Sequence, residues 1–344
     1  MTTTSNLPPL RSHYLAGWSR AEASASSSKN ALNRMVTAAN SSLPNMSVDN
    51  RTAACASTDV LYQTDNGSSF AMIGQPQWTE ERLASVAREE DHGAALALAY
   101  AEYGSRFLQA LKGPFAFAVI DTSTDTVMLG TDRMGRYPLY YAEIDHGLAF
   151  GSSASITLAN TNPTDETVQA SLQAQGLYDY VYFHMVPSPH SIFAGLKKLP
   201  AGHLLLCSEN QCVVSNYFRP VFREQSQDSF TSLGSELKTQ LKSAVERCIE
   251  PDVKVGAFLS GGLDSSTVAG MLSEISPNNA HAFSIGFSAR GYDEMAYARL
   301  TAKHFGIQLH EYYVTPEDVV NALPMVAASY DEPFGNSSAL PAYF

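Results

Sequence analysis

The sequence predicts an α/β protein of two domains, the first sheet-rich with helices and the second built on a parallel sheet. Three observations carry that reading. At 344 residues the chain exceeds what a single hydrophobic core organises. The run Phe115-Ala116-Phe117-Ala118-Val119-Ile120-Asp121 is long and apolar enough for a strand buried on both faces. From residue 253 to 329 strand-like and helix-like stretches alternate, the pattern of a parallel sheet with crossover helices.

Taken in order, residues 1–12 and 22–58 are rich in Ser, Ala, Asn and Thr without clear period. They read as a loose leader and a weakly patterned, insertion-like stretch. Between them, residues 13–18 (His13-Tyr14-Leu15-Ala16-Gly17-Trp18) form an aromatic and apolar run of strand type. Residues 60–63 and 70–73 flank the turn signal Asp65-Asn66-Gly67 as a hairpin would. Residues 79–112 are helical in pattern, and Gly113 then introduces the buried strand. Strand rhythm continues through 127–130 and 139–142, which closes a first domain at 1–160. Residues 161–227 combine a short helix, the turn Val186-Pro187-Ser188-Pro189 and a hairpin over 203–217, and read as a connecting region.

The second domain, 228–344, opens on Phe230, Leu233, Leu237, Leu241, Val245 and Cys248, one apolar stripe on a helix of about six turns. Strands over 253–259, 282–287 and 308–314 then alternate with helices over 265–275, 293–305 and 316–329. Thr315 stands as N-cap of the last helix, with Pro316 at its first position and Asp318 in the capping-box place.

Hydrophobic residues make up 44% of the chain and charged residues 16%, enough apolar material for packed cores. The formal charge of −12 disfavours nucleic-acid partners, which need a basic surface. No stretch approaches the roughly 20 apolar residues of a membrane span, and the first residues lack a basic start followed by an apolar run. A cytoplasmic protein is expected. Cys55, Cys207, Cys212 and Cys248 show neither paired zinc spacing nor the density of a disulfide scaffold, so free, buried thiols are expected.

One segment carries chemistry. Val255-Gly256-Ala257-Phe258-Leu259 leads into Ser260-Gly261-Gly262-Leu263-Asp264-Ser265-Ser266. Without Cβ atoms, Gly261 and Gly262 let backbone N–H groups curl around an anion, and the helix that follows adds unpaired donors and the positive end of its dipole. The hydroxyls of Ser260, Ser265 and Ser266 can join them. A carboxylate beside phosphate is favourable only with a divalent cation between, which assigns Asp264 to Mg²⁺. The chain has no Gly-x-x-x-x-Gly-Lys-Ser/Thr, so no loop lysine meets terminal phosphates. A loop that grips pyrophosphate suits cleavage between the α- and β-phosphates, with AMP passed to an acceptor carboxylate. The plainer alternative is a Gly-Gly turn that only joins strand to helix.

With that loop stand three further stretches: Phe283-Ser284-Ile285-Gly286-Phe287, then Tyr292-Asp293-Glu294 with Ala298-Arg299, then Tyr330-Asp331-Glu332-Pro333-Phe334-Gly335-Asn336-Ser337-Ser338. Together they resemble the asparagine synthetase family, to which β-lactam synthetases and lasso-peptide cyclases are related. Upstream, Leu111-Lys112-Gly113-Pro114-Phe115, Asp132-Arg133-Met134-Gly135-Arg136-Tyr137-Pro138-Leu139-Tyr140-Tyr141 and Lys197-Lys198-Leu199-Pro200-Ala201-Gly202-His203 extend the resemblance to residues 60–344. It implies an N-terminal-nucleophile-type αββα sandwich, a class II glutamine amidotransferase-like domain, followed by an adenine-nucleotide α-hydrolase-like, ATP-pyrophosphatase domain. It implies that Phe258 and Ile285 frame adenine, and that Asp293, Glu294, Asp331 and Glu332 line the site. The competing reading of those four acids is helix capping or surface charge.

The chain departs from the family pattern in two places. Glutaminases of this family use an N-terminal cysteine. Residue 2 here is Thr, and Gly74-Gln75-Pro76-Gln77-Trp78 replaces the Asn-Gly-Glu stretch, so a degenerate glutaminase with no assigned catalytic residue is expected. The family's second acidic motif and its later lysine are not reached by Phe344, which makes the second domain read as incomplete and the chain as a fragment or truncated product. The expected function is ATP- and Mg²⁺-dependent amide formation through an acyl-adenylate, aspartate giving asparagine, with AMP and pyrophosphate released. An intramolecular synthetase of the cyclase or β-lactam type, and a non-catalytic nucleotide-binding fragment, are the alternatives. Partners are small molecules, with a homodimer left open.

Overall fold

The computed structural model describes residues 14–20, 25–38, 45–48, 53–144, 147–159, 171–208, 211–222, 228–249, 253–277, 279–288 and 293–344. Thr2, His13, Tyr292 and the leader 1–12 lie outside them. The chain divides into one unit of Met1–Pro220 with Ala328–Gly335, and a second of Val221–Ala327 with Asn336–Phe344.

The first unit runs β1 (Leu15–Arg20), α1 (Ala25–Ala38), β2 (Asn45–Val48), β3 (Ala53–Ser57), β4 (Val60–Gln63), β5 (Ser69–Gly74) and β6 (Gln77–Trp78). It continues through α2 (Glu81–Glu89), α3 (His92–Tyr103), a 3₁₀ turn (Gly104–Ala110), β7 (Leu111–Lys112), β8 (Phe115–Asp121), β9 (Thr126–Thr131), β10 (Tyr140–Ile144) and β11 (Gly147–Gly151). It ends with α4 (Ala154–Leu158), α5 (Ala174–Phe183), β12 (Lys197–Lys198), β13 (His203–Ser208) and β14 (Gln211–Asn216). Two antiparallel sheets result, ordered β12-β10-β11-β1-β3-β2 and β14-β13-β9-β8-β5-β4.

Side-chain alternation explains the layers. Along β8, Phe115, Phe117 and Val119 face a core shared with Leu83, Leu96 and Phe107 of the helical layer. Ala116, Ala118 and Ile120 face the other sheet, where Leu15, Cys55, Leu148 and Phe150 meet them. The outer face of the first sheet, with Tyr14, Ala16 and Trp18, packs on Ala31, Leu32, Met35 and Val36 of α1 and Ile156 of α4. Helix, sheet, sheet, helix is thus the αββα sandwich that the resemblance implies. The inter-sheet gap is closed by pairing small with large: a Cβ on Gly17 would sit 2.0 Å from the Phe150 ring.

Three expectations are corrected. The stretch 22–58 contains a helix and two strands; the α1 stripe of Ala31, Leu32, Met35 and Val36 is hidden in sequence by surrounding Ser and Asn. The hairpin expected in a connecting region belongs to the first unit, because β13 pairs with β9 from Leu204 opposite Gly130 to Ser208 opposite Thr126. Cys207 and Cys212, opposite each other on β13 and β14, form a disulfide with Cα atoms 4.1 Å apart. Cys55 is a buried free thiol, its pKa pushed up to about 12 by burial, and Cys248 is free and exposed. The hairpin at Asp65-Asn66-Gly67 forms as expected, Tyr62 opposite Phe70 and Gly67 at φ +90°.

The second unit runs α6 (Phe230–Glu246), β15 (Gly256–Phe258), α7 (Leu263–Ile275), β16 (His281–Phe287), α8 (Met295–Phe305), β17 (Gln308–Val314), α9 (Pro316–Ser329) and α10 (Ala339–Tyr343). Its sheet is parallel in the order β15-β16-β17, as the alternation predicts. Ala257, Leu259 and Ala282 pack on Ala269 and Leu272 of α7 and on Met295, Ala298 and Ala302 of α8. The Thr315 cap is reciprocal: Asp318 N–H donates to Thr315 Oγ1 at 3.2 Å, and Thr315 N–H donates to Asp318 Oδ2 at 2.8 Å. The α6 stripe contributes no fully buried residue, and Phe230 is 92% exposed. Among the described residues no helix is long and apolar enough to cross a membrane.

Candidate nucleotide site

β15 delivers the chain to the loop. Leu259 N–H donates to Phe283 O at 2.9 Å, so the backbone is still paired at the last residue before Ser260. Gly261 then takes φ +87°, and Gly262 serves as N-cap of α7. The two glycines are needed for different reasons. A Cβ on Gly261 would lie 2.5 Å from Tyr297 Cβ and 2.6 Å from Ala298 N, so the loop rests directly on α8. A Cβ on Gly262 would meet only Ser260 Oγ, at 3.4 Å. The fold demands the first; the second leaves its surroundings open to an incoming group.

The hydroxyls hold the loop together. Ser260 Oγ and Ser265 Oγ are 3.0 Å apart, Ser260 N–H donates to Ser265 Oγ at 3.2 Å, and Gly262 N–H donates to Ser260 Oγ at 3.3 Å. Ser266 Oγ pairs with Thr301 Oγ1 of α8 at 3.1 Å. The first turn of α7, Leu263 to Ser265, retains the unbonded N–H donors of any helix start. Leu263 is 84% exposed and Asp264 is exposed, so α7 begins at the protein surface. Asp264 is exposed and engages no partner among the described residues. No group of three or more His, Cys, Asp or Glu that could cage a metal occurs among the described residues. The exposed Asp264 carboxylate is a donor of the kind Mg²⁺ takes, since that ion keeps several waters and binds one or two carboxylates plus phosphate oxygens.

At the carboxyl ends of the strands, where open parallel sheets take ligands, lies a cavity of about 420 Å³. Phe258 and Ile285 both line it, with Leu259, Ser260, Phe283, Phe287, Glu294, Ser338, Pro341 and Ala342. Phe283 was not singled out from sequence, although period two was the available signal: it shares a strand face with Ile285 and Phe287 and stands opposite Phe258 in the parallel register. Ser338, Pro341 and Ala342 come from the final helical turn and its lead-in, for which no local pattern gave warning.

The four acids separate. Asp293 is committed within its own unit, accepting from Met295 N–H and from Tyr313 Oη, each at 3.2 Å. Glu294 is exposed and lines the cavity. Asp331 and Glu332 make their bonds in the first unit. Asp331 Oδ1 accepts from Ala154 N–H, at the start of α4, at 3.1 Å. Glu332 is an almost fully buried anchor: Ile192 N–H and Ser191 Oγ donate to Oε1 at 2.7 and 2.9 Å, Tyr140 Oη donates to Oε2 at 3.2 Å, and Lys198 Nζ pairs with Oε2. The structure therefore brings Ser260, the first residue of the loop, into one cavity with Phe258, Ile285 and Glu294, leaves Gly261 to Ser266 outside that lining, and gives Asp331 and Glu332 partners elsewhere.

A glutamine amidotransferase domain is matched over residues 85–218 and an asparagine synthase domain over 236–344. "Asparagine synthetase [glutamine-hydrolyzing] 1" of Bacillus subtilis is 27% identical over 280 residues, 81% of this chain and 43% of that protein. "Putative asparagine synthetase [glutamine-hydrolyzing] 2" of Methanocaldococcus jannaschii is 32% identical over 252 residues, 71% of this chain and 47% of that protein. A differently named relative, "Amidase chry2" of Gibberella zeae, is 26% identical over 288 residues, 76% of this chain and 41% of that protein. The chain spans less than half the length of each of these relatives. With both domain matches in the expected order, over the loop and the sandwich just described, the chain belongs to the asparagine synthetase family.

Proposed function

We propose that the second unit binds ATP with Mg²⁺ and that the protein uses it to form an amide through an acyl-adenylate. The strand-to-helix loop carries the reading: Gly261 at φ +87° turns the chain, Gly262 leaves room, and Ser260 at the head of the loop lines a cavity of about 420 Å³ at the strand ends. Phe258, Phe283 and Ile285 supply apolar walls for adenine, and the loop from Ser260 to Ser266 takes the phosphates. Asp264 would hold Mg²⁺, which neutralises phosphate charge when bound. An acceptor carboxylate oxygen attacks the α-phosphorus and pyrophosphate leaves; a nitrogen lone pair then attacks the acyl carbon, AMP leaves, and the nitrogen gives up its proton to solvent. Aspartate is the proposed acceptor and the cytoplasm the proposed location.

Free ammonia, rather than glutamine, is the proposed nitrogen source. The N–H of Gly74, where the family's glutamine-binding stretch falls, is taken by the chain's own Asp59 Oδ2 at 2.8 Å. The same feature admits a second reading, an intramolecular synthetase whose amine lies within the substrate.

Pyrophosphate release from ATP and Mg²⁺ tests both, with aspartate as acceptor and ammonium or glutamine as nitrogen source. Release with ammonium and none with glutamine is expected, and an Asp264→Ala variant should lose Mg²⁺-dependent nucleotide binding at unchanged thermal stability. Unchanged nucleotide affinity in that variant would remove Asp264 from the site. Asparagine formed only from glutamine would overturn the assignment of the nitrogen source.

A further inference from the structure

We propose that Glu294 is the ribose-recognising residue of the nucleotide cavity, making the site selective for ribonucleotides over deoxyribonucleotides; this rests on the ATP reading above. Glu294 is the only charged residue lining the cavity among those described. Its neighbour Asp293 already serves Met295 N–H and Tyr313 Oη, whereas the Glu294 carboxylate accepts no hydrogen bond among the described residues and is not used to cap α8. An exposed acid without a partner is ordinary on a surface. On the rim of a cavity with no other charged residue, it limits what the cavity can accept.

An ionised carboxylate is acceptor-only, so its ligand partner must donate. Phosphate oxygens are excluded by charge, and their place is the loop from Ser260 to Ser266. The base faces Phe258, Phe283 and Ile285, which offer apolar surface. Glu294 stands one turn before Tyr297 and Ala298, the residues on which Gly261 rests, so it belongs to the loop end of the cavity. Between a base on the strand ends and phosphates on the loop comes the ribose, whose vicinal hydroxyls are donors matched to the two oxygens of a carboxylate. An acid on ribose hydroxyls is the solution dinucleotide-binding folds also reach.

The test is calorimetric binding of Mg²⁺ with ATP, 2′-deoxy-ATP or 3′-deoxy-ATP to the full chain and to Glu294→Ala and Glu294→Gln. A hydrogen bond to a charged group predicts about tenfold or greater weakening when one hydroxyl is removed. Glu294→Ala should weaken ATP by a similar factor while leaving the affected deoxynucleotide within about twofold, and Glu294→Gln, which keeps one acceptor, should fall between. Equal binding of all three nucleotides by the unaltered chain would overturn the ribose contact and leave the ATP reading standing, as would an equal loss for all three in Glu294→Ala. Absence of any ATP binding by the unaltered chain would overturn both.

Discussion

Replacing Glu332 by alanine removes one acceptor group from four donors at once: Lys198 Nζ, Ser191 Oγ, Tyr140 Oη and the backbone N–H of Ile192. The side chains of Glu332 and Lys198 are 8% and 14% exposed, so water does little to replace what is lost. Breaking a buried ion pair from one side costs about 3–5 kcal/mol, because the remaining charge stays desolvated. The Val186 carbonyl still accepts from Lys198, which places the expected loss toward the lower end of that range. The assay is urea unfolding followed by tryptophan fluorescence. Trp18 and Trp78 are the chain's two tryptophans, both are buried, and both belong to the first unit, so the signal reports that unit alone. Replacing Glu332 and Lys198 together by methionine should recover only part of the loss, since it removes the unpaired charge but leaves Ser191 Oγ, Tyr140 Oη and the Ile192 N–H without their acceptor. An unfolding free energy lowered by less than about 0.5 kcal/mol in Glu332→Ala would refute the anchor, for surface substitutions commonly fall in that range.

Two more predictions concern glycines and thiols. Gly261→Ala should lose about 1–2 kcal/mol from its left-handed backbone and more from the clash with α8, and abolish nucleotide binding; Gly262→Ala should melt normally and lose only affinity. Equal melting of the two variants would refute the division between them. Thiol titration should find one reactive cysteine in the native chain, Cys248, with Cys55 joining it on unfolding and Cys207 and Cys212 only after reduction. Four thiols without reductant would refute the disulfide.

Much of this was legible where the signal is local. Alternating Phe and Ala along residues 115–118 announces a two-faced strand, and the structure divides them between two cores. The capping box at Thr315 and Asp318 needs only three residues and forms as read. The strand-to-helix loop was legible because glycines, hydroxyls and an acid are packed into seven consecutive positions after an apolar strand. Illegible were features whose partners lie far along the chain. Glu332 and Lys198 are separated by 134 positions, and nothing near either marks a buried pair. Helix α1 was missed because its four apolar contacts are spread through Ser and Asn, residues of modest helix propensity. The Cys207–Cys212 bridge could have been found, since the two residues fall opposite one another in a hairpin recognised from sequence.

The acidic residues show how structure sharpens a motif. Five were drawn to the site from sequence: Asp264, Asp293, Glu294, Asp331 and Glu332. A carboxylate whose oxygens already accept bonds from the protein has its desolvation offset internally, and recruiting it to a ligand would first require breaking those bonds. Asp293, Asp331 and Glu332 are in that position. Asp264 and Glu294 are not: both are exposed, one at the start of α7 and the other on the cavity rim. The proposed ligand chemistry therefore rests on these two, a cation-dependent phosphate contact for the first and a hydroxyl contact for the second. Their substitutions should separate accordingly, Asp264→Ala acting through Mg²⁺ on every nucleotide and Glu294→Ala acting only where the ribose hydroxyl is present.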